Sequence, residues 1–136
     1  MKRLTRYCKP LIVEVSDEKT PDNAPEAVER MIRDREGKKL LKHFDPKAKV
    51  IALAIEGEKT DSPGFAKILD GYALSGISHI QFVIGGSLGL SDEVLSRADA
   101  KMSFSDMTFP HQMMRVILLE QIYRSYKILS GEPYHK

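Results

Sequence analysis

Three stretches of the chain hold residues whose types and order suit chemistry. "SFSDMTFPHQMMR", Ser103–Arg115, follows a short strand-like run with Ser, Asp, Thr, Pro and His, then enters a helical pattern through two methionines. A strand-to-helix turn needs little more than a cap and a glycine, so this loop is longer and chemically more mixed than its geometry requires. Polar groups set among apolar Met107 and Phe109 suit a ligand with one apolar and one polar end. "FVIGGSLGL", Phe82–Leu90, puts Gly85 and Gly86 directly after a buried-type strand, where glycine lets a ligand come close to the backbone. A plain tight turn accounts for the same residues. "PYHK", Pro133–Lys136, supplies Tyr, His and Lys in a segment that has no core to fill.

Several other chemistries are excluded or unsupported. The glycine-rich turn lacks both the G-x-G-x-x-G spacing and a Walker lysine. Four histidines show no metal-ligand spacing, and a single cysteine, Cys8, cannot build a zinc cluster. No nucleophile elbow or Ser-His-Asp order is present. His79 reads as structural at a strand start, His43 as a surface residue near a helix end, and His111 as a cap of the last helix. Asp106 reads either as a base or binding carboxylate or as an ordinary turn residue. Met113 and Met114 read as core filler.

These loops need elements to carry them. Extended, β-branched runs at Leu11–Val15, Val50–Ile55, His79–Ile84 and Lys101–Ser105 predict four strands. Helical patterns alternate with them. The first starts after Asn23 with Pro25 in its first turn, is interrupted by Gly37 and is closed by Asp45-Pro46. The second starts with Ser62 as cap and Pro63 at N1. A short third begins at Ser91, and the last runs from His111 to about Ser130, before Gly131. Nearly all-apolar strands alternating with helices predict an α/β fold, a parallel sheet flanked by helices on both faces. Ligands then bind at the carboxyl ends of the strands, where all the candidate loops but the terminal one lie.

At 136 residues, with 42% hydrophobic and 29% charged, the chain fits a single domain over residues 1–136 with a core of its own. One cysteine permits no internal disulfide, and the longest apolar run, Val50–Ile55, is far short of a membrane span; both point to the cytoplasm, with no membrane partner. A net charge of +2 neither demands nor excludes a polyanionic partner. The bases do cluster, however, with Arg6 and Lys9 near the start and Arg115, Arg124, Lys127 and Lys136 in the last helix and tail.

"FVIGGSLGL", then "SFSDMTFPHQMMRVILLEQIYRSYKI", then "PYHK" together resemble the SPOUT-class methyltransferases that modify N3 of a pseudouridine in bacterial large-subunit (23S) ribosomal RNA. The resemblance runs from about Lys2 to Lys136. It implies a C-terminal deep trefoil knot, S-adenosylmethionine bound bent within it, a homodimer with sites near the interface, assembled ribosomes as substrate, and no metal. Leu53 and Gly85 match cofactor-contacting positions, and Phe104, Ser105, Asp106, Met107, Thr108 and Phe109 match the cofactor loop. The implied reaction is methyl transfer from a sulfonium to a ring nitrogen that must first lose its proton. His135, Asp106 and Tyr134, in that order, are the candidate proton acceptors. Arg115, Arg124, His135 and Lys136 are candidate RNA contacts, with Arg6 and Lys9 adding to that surface.

One departure stands at the start. Members of that family begin earlier, with a strand, a "VGK"-like turn and a helix running into the "KRL" region, so the resemblance implies an N-terminally shortened domain with an exposed sheet edge. Two other readings stay open: a SPOUT methyltransferase acting on tRNA, and a non-catalytic ribosome- or RNA-binding fragment.

Overall fold

A computed structural model describes residues 3–15, 21–86 and 88–135. After a 3-10 turn at Leu4–Arg6, the elements run α1 (Glu26–Leu41), β1 (Lys49–Lys59), α2 (Ser62–Leu74), β2 (Ile80–Ile84), α3 (Asp92–Arg97), β3 (Ala100–Ser103) and α4 (His111–Leu129). The strands form a parallel sheet of order β2-β1-β3, so β1 is central.

The α/β expectation holds, and period-2 geometry explains how β1 serves two helix layers. Ile51 joins Phe65, Met102 and Leu118 in a core against α2 and α4, with Leu53, Phe82 and Phe104 packed on it. Its neighbour Val50 points the other way, joining Val83 and Val94 in a second core with Leu40, Leu41, Phe44 and Leu90. Both faces are therefore covered, as a nearly all-apolar parallel strand requires.

Local chemistry corrects several boundaries. The run Leu11–Val15 is not a strand: it lies outside the sheet, and Leu11 is 85% exposed. Its β-branched residues favour an extended chain, but a strand also needs a ladder partner, and among the described residues none pairs with this run. Gly37 does not interrupt α1 but lies buried within it, because a Cβ there would sit 2.2 Å from Ser91 Oγ. Close packing of α1 on α3 selects that glycine. The helix ends at Leu41 rather than at Asp45-Pro46, and Pro25 is its cap residue rather than part of its first turn. In α2 the cap is Asp61, whose carboxylate accepts from the Gly64 amide at 2.8 Å. Ser62 is thereby freed to donate to Gln121 of α4 at 2.7 Å. Ser91 does cap α3, accepting from the Val94 amide at 3.3 Å.

β1 is much longer than its apolar run, and its far half changes register. Leu53 pairs with Met102, yet so does Glu58, and Lys59 pairs with Ser103. The chain makes this second approach at Gly57, where a Cβ would lie 2.5 Å from the Met102 backbone nitrogen. Only glycine permits two backbones to come so close.

Candidate functional site

Sheet register gathers three of the expected positions. Leu53 of β1 is paired with Ile84 of β2 on one side and Met102 of β3 on the other. Gly85 follows Ile84 directly, and Phe104 comes two residues after Met102, so Leu53, Gly85 and the Phe104–Phe109 loop share the carboxyl end of the sheet.

The loop is rooted by one apolar contact and a few polar ones. The Phe104 ring meets Phe65 edge-on at 5.6 Å between centroids. Ser103 donates to the Ser105 carbonyl at 3.0 Å, and the Ser105 hydroxyl accepts from the Met107 amide at 3.0 Å. Asp106 pairs with Lys59 Nζ at 2.6 Å, tying the loop to the far end of β1. Beyond that root the loop is open. Met107 is 72% exposed, Thr108 is exposed and Phe109 is half-buried. Apolar side chains and a polar backbone thus surround one strand end, an arrangement that fits an amphipathic ligand.

For Gly85, the tight-turn reading has a geometric cause. A Cβ there would fall 2.7 Å from Gly89 C and 3.0 Å from Leu90 N, since the turn folds back on itself with a Gly86–Gly89 bridge. The glycine shapes its own turn, whatever else comes near it. Gly85 and Gly86 also line a cleft of about 1160 Å³ shared with His111, Arg115 and the Tyr7–Val15 segment.

Tyr134 and His135 belong to a second cluster, on α4. The Tyr134 ring packs edge-on against Tyr123 at 5.1 Å and lies under the Arg124 guanidinium at 4.9 Å. Its hydroxyl donates to Glu120 at 3.3 Å. Arg124 binds Glu120 through Nε at 2.9 Å and approaches His135 Nδ1 at 3.0 Å. Guanidinium nitrogens carry only donors, so Nδ1 accepts and the ring proton sits on Nε2. Glu120 is the hub: it also accepts from Gln121 at 3.0 Å, which in turn holds Ser62. A chain of hydrogen bonds therefore runs from the start of α2 to the tail. The Glu120 pairing raises the Arg124 pKa further.

The candidate catalytic residues thus divide, with Asp106 held by Lys59 and Tyr134 and His135 held by Glu120 and Arg124. The RNA candidates Arg115 and Arg124 are ion-paired within the chain, to Glu14 and Glu120 respectively. Arg6 and Lys9 are exposed, and Lys136 lies outside the described residues. His79 is structural as expected, its Nδ1 lying 3.2 Å from Asp45 Oδ2. His111 opens α4 directly after Pro110, the cap residue. Burial pushes the Cys8 thiol up, which makes it a poor nucleophile. Among the described residues no group of three His, Cys, Asp or Glu could hold a metal, and no helix is long and apolar enough to cross a membrane.

Sequence reasoning passed over Glu120, Lys59, Glu132 and Tyr7. The Glu120–Arg124 pair has an i,i+4 spacing that any helical reading carries. The Lys59 and Tyr7 contacts span 47 and 125 residues and leave no local signal.

Comparison with known proteins gives this geometry its context. A family model described as "Predicted SPOUT methyltransferase" matches residues 1–135. Proteins named ribosomal RNA large subunit methyltransferase H from Bifidobacterium adolescentis and Clostridium novyi are each 60% identical to the chain over 135 residues. One from Clostridium botulinum (strain Langeland) is 57% identical over the same span. Each alignment covers 99% of this chain and 85% of the relative. The chain belongs to the SPOUT methyltransferase family.

Proposed function

We propose that this cytoplasmic protein methylates N3 of a pseudouridine in large-subunit ribosomal RNA within assembled ribosomes, using S-adenosylmethionine and working as a homodimer of one knotted domain spanning residues 1–136. The observation that carries the reading is the meeting of Leu53, Gly85 and the Phe104–Phe109 loop at one end of a parallel sheet, in a chain 60% identical to proteins named for that class of reaction. Exposed apolar Met113 and Val116 on α4 support the pairing of two copies.

S-adenosylmethionine, when bound, supplies an activated methyl group on a sulfonium. Phe104, Met107 and Phe109 would form apolar walls against its adenine and thioether carbons, while the backbone of residues 104–109 and of Gly85 and Gly86 would meet its polar edges. Leu53 closes the floor. The remaining task is alignment of the acceptor nitrogen, and proximity of this kind is worth several kcal/mol.

Loss of the N3 proton puts negative charge on the two carbonyl oxygens that flank it. His135, with Nδ1 occupied by Arg124, offers an Nε2–H donor that would stabilise such charge. In this arrangement His135 acts as a donor, and the proton leaves to Asp106, to water, or through the Tyr134 hydroxyl, which passes its own proton on to Glu120. Arg6, Lys9 and Lys136 would contact phosphate, joined by Arg115 and Arg124 wherever RNA displaces Glu14 and Glu120.

Transfer of labelled methyl from S-adenosylmethionine to ribosomes lacking the modification, followed by mapping of the labelled nucleotide, tests the reading. Label on N3 of a pseudouridine in the large-subunit RNA is the expected result. Label on tRNA alone moves the substrate, and cofactor binding without label on any RNA overturns the reading.

A further inference from the structure

The tail that carries Tyr134 and His135 leaves α4 through a defined turn. Gly131 has φ +69, its amide donates to the Ile128 carbonyl at 3.1 Å, and the Glu132 amide donates to the Lys127 carbonyl at 2.9 Å. This is the paired bond pattern of a Schellman ending, and it sends the chain back along the helix it has just left. The same two residues are joined again through their side chains, since Lys127 Nζ donates to Glu132 Oε2 at 2.6 Å. The other carboxylate oxygen, Oε1, accepts from the Tyr7 hydroxyl at 3.0 Å.

Tyr7 is itself fixed. It stacks on Tyr126 with centroids 5.0 Å apart and planes 6° from parallel, and meets Tyr123 edge-on at 6.1 Å. Lys127 lies 5.5 Å from the centre of the Tyr123 ring, and Tyr123 packs against Tyr134. Glu132 therefore sits between two fixed donors, one from α4 and one from a segment more than a hundred residues away in sequence. Three residues later the chain delivers His135 to Arg124. With both oxygens engaged, the carboxylate ties the tail both to α4 and to the Tyr7 segment.

We propose that Glu132, with Lys127 and Tyr7, is a positioning lock for the reaction: it fixes the angle at which the tail presents Tyr134 and His135, without touching cofactor or RNA base itself. The inference rests on the reading above that the tail belongs to the active site. The donors on the carboxylate pull its pKa below the usual range, so it is charged at neutral pH and keeps both bonds. Glu132→Ala leaves Tyr134 and His135 in the chain but lets the Schellman turn alone set their direction. A misplacement of about 1 Å is worth about 100-fold in rate when alignment dominates catalysis.

The experiment compares five proteins: the unaltered chain, Glu132→Ala, Glu132→Gln, Tyr7→Phe and a deletion of Tyr134–Lys136. Each is measured for S-adenosylmethionine affinity, thermal stability, and kcat and KM on ribosomes lacking the methyl group. The expected result is a fall in kcat of about 10- to 100-fold for Glu132→Ala, with KM and cofactor affinity unchanged. Glu132→Gln, whose carbonyl can still accept from Tyr7 or Lys127, recovers much of that loss. Tyr7→Phe, which removes a single bond and no packing, falls between the unaltered chain and Glu132→Ala. Unaltered kcat in Glu132→Ala, with a tail deletion that is inactive, overturns the lock while leaving the tail's role standing. Full turnover in the tail deletion overturns the reading of the tail, and the lock with it. Loss of cofactor affinity alongside kcat in Glu132→Ala makes Glu132 a fold element and likewise overturns the proposal.

Discussion

The loop after β3 and the tail after α4 both carry candidate chemistry, and they are held in opposite ways. The loop has one buried root, Phe104 on Phe65, and beyond it an ion pair in which both side chains are more than half exposed. The tail has little buried apolar area but many interlocking contacts: a Schellman turn, the Glu132 carboxylate between two donors, Tyr134 wedged between Tyr123 and Arg124, and His135 against Arg124. A loop that must open for a small ligand benefits from a loose rim, since ligand contacts complete its order. Groups that must meet a large substrate at one angle benefit from being fixed beforehand, because ordering them during the reaction would cost rate. The difference in anchoring matches a difference in task.

That comparison can be broken at either end. The largest effect is expected for Gly85→Arg: with backbone already 2.7 Å from where a Cβ would lie, the turn must rearrange and S-adenosylmethionine binding should be lost in calorimetry. The tail cluster should survive it, visible as an unchanged near-ultraviolet tyrosine signal. Deleting Tyr134–Lys136 is the converse experiment, with cofactor affinity kept and turnover down by about 100-fold or more; retained turnover would end the distinction between the two regions. Phe104→Ala should cost about 3 kcal/mol in denaturant unfolding, the lower end of the range for a phenylalanine because the ring is partly buried, and weaken cofactor binding.

Smaller effects sharpen the contrast. Asp106→Ala breaks only an exposed pair with Lys59, so unfolding should shift by less than about 0.5 kcal/mol. A large loss of turnover from that variant, with cofactor affinity intact, would make Asp106 the proton acceptor and move the chemistry to the loop. The smallest signal is in the acid limb of stability. Lys127, then Tyr7, hold the Glu132 pKa below its ordinary value, so in acid the unfolded chain takes up this proton before the folded one does. The stabilisation is complete above the ordinary glutamate value of roughly 4.3 and disappears as pH falls through the lowered folded one. Glu132→Gln should therefore flatten the dependence of Tm on pH below that point and leave the neutral-pH slope alone.

Sequence patterns carried the helix layers well, because apolar residues at helical spacing such as Ile117, Leu118 and Ile122 mean little else. The Ser91 cap and the Gly131 stop were legible for the same local reason. Leu11–Val15 misled because propensity describes a residue's comfort in an extended chain and says nothing of whether a neighbour strand exists. Gly37 misled in the opposite sense: as a helix breaker it reads as an end, and only the position of Ser91 reveals it as a contact. At the site, the sequence named the loops but not their grip. Lys59 on Asp106, Glu14 on Arg115 and Tyr7 on Glu132 are pairings between distant segments, and a charge pattern cannot say which opposite charge a fold will bring near.

The order β2-β1-β3 has a consequence for how the protein is made. Of the three described strands the central one is translated first, and both of its neighbours come later. β3 begins about fifty residues after β1 begins, so at about 5–20 residues per second the most apolar segment of the chain waits roughly 3–10 s for its second partner. Through that interval one full edge of a Val-Ile-Ala-Leu strand stands open beside the ribosome, and the closing contact at Gly57 cannot form until Met102 has emerged. Translation of residues 60 to 100 therefore spans the interval in which that edge has no partner.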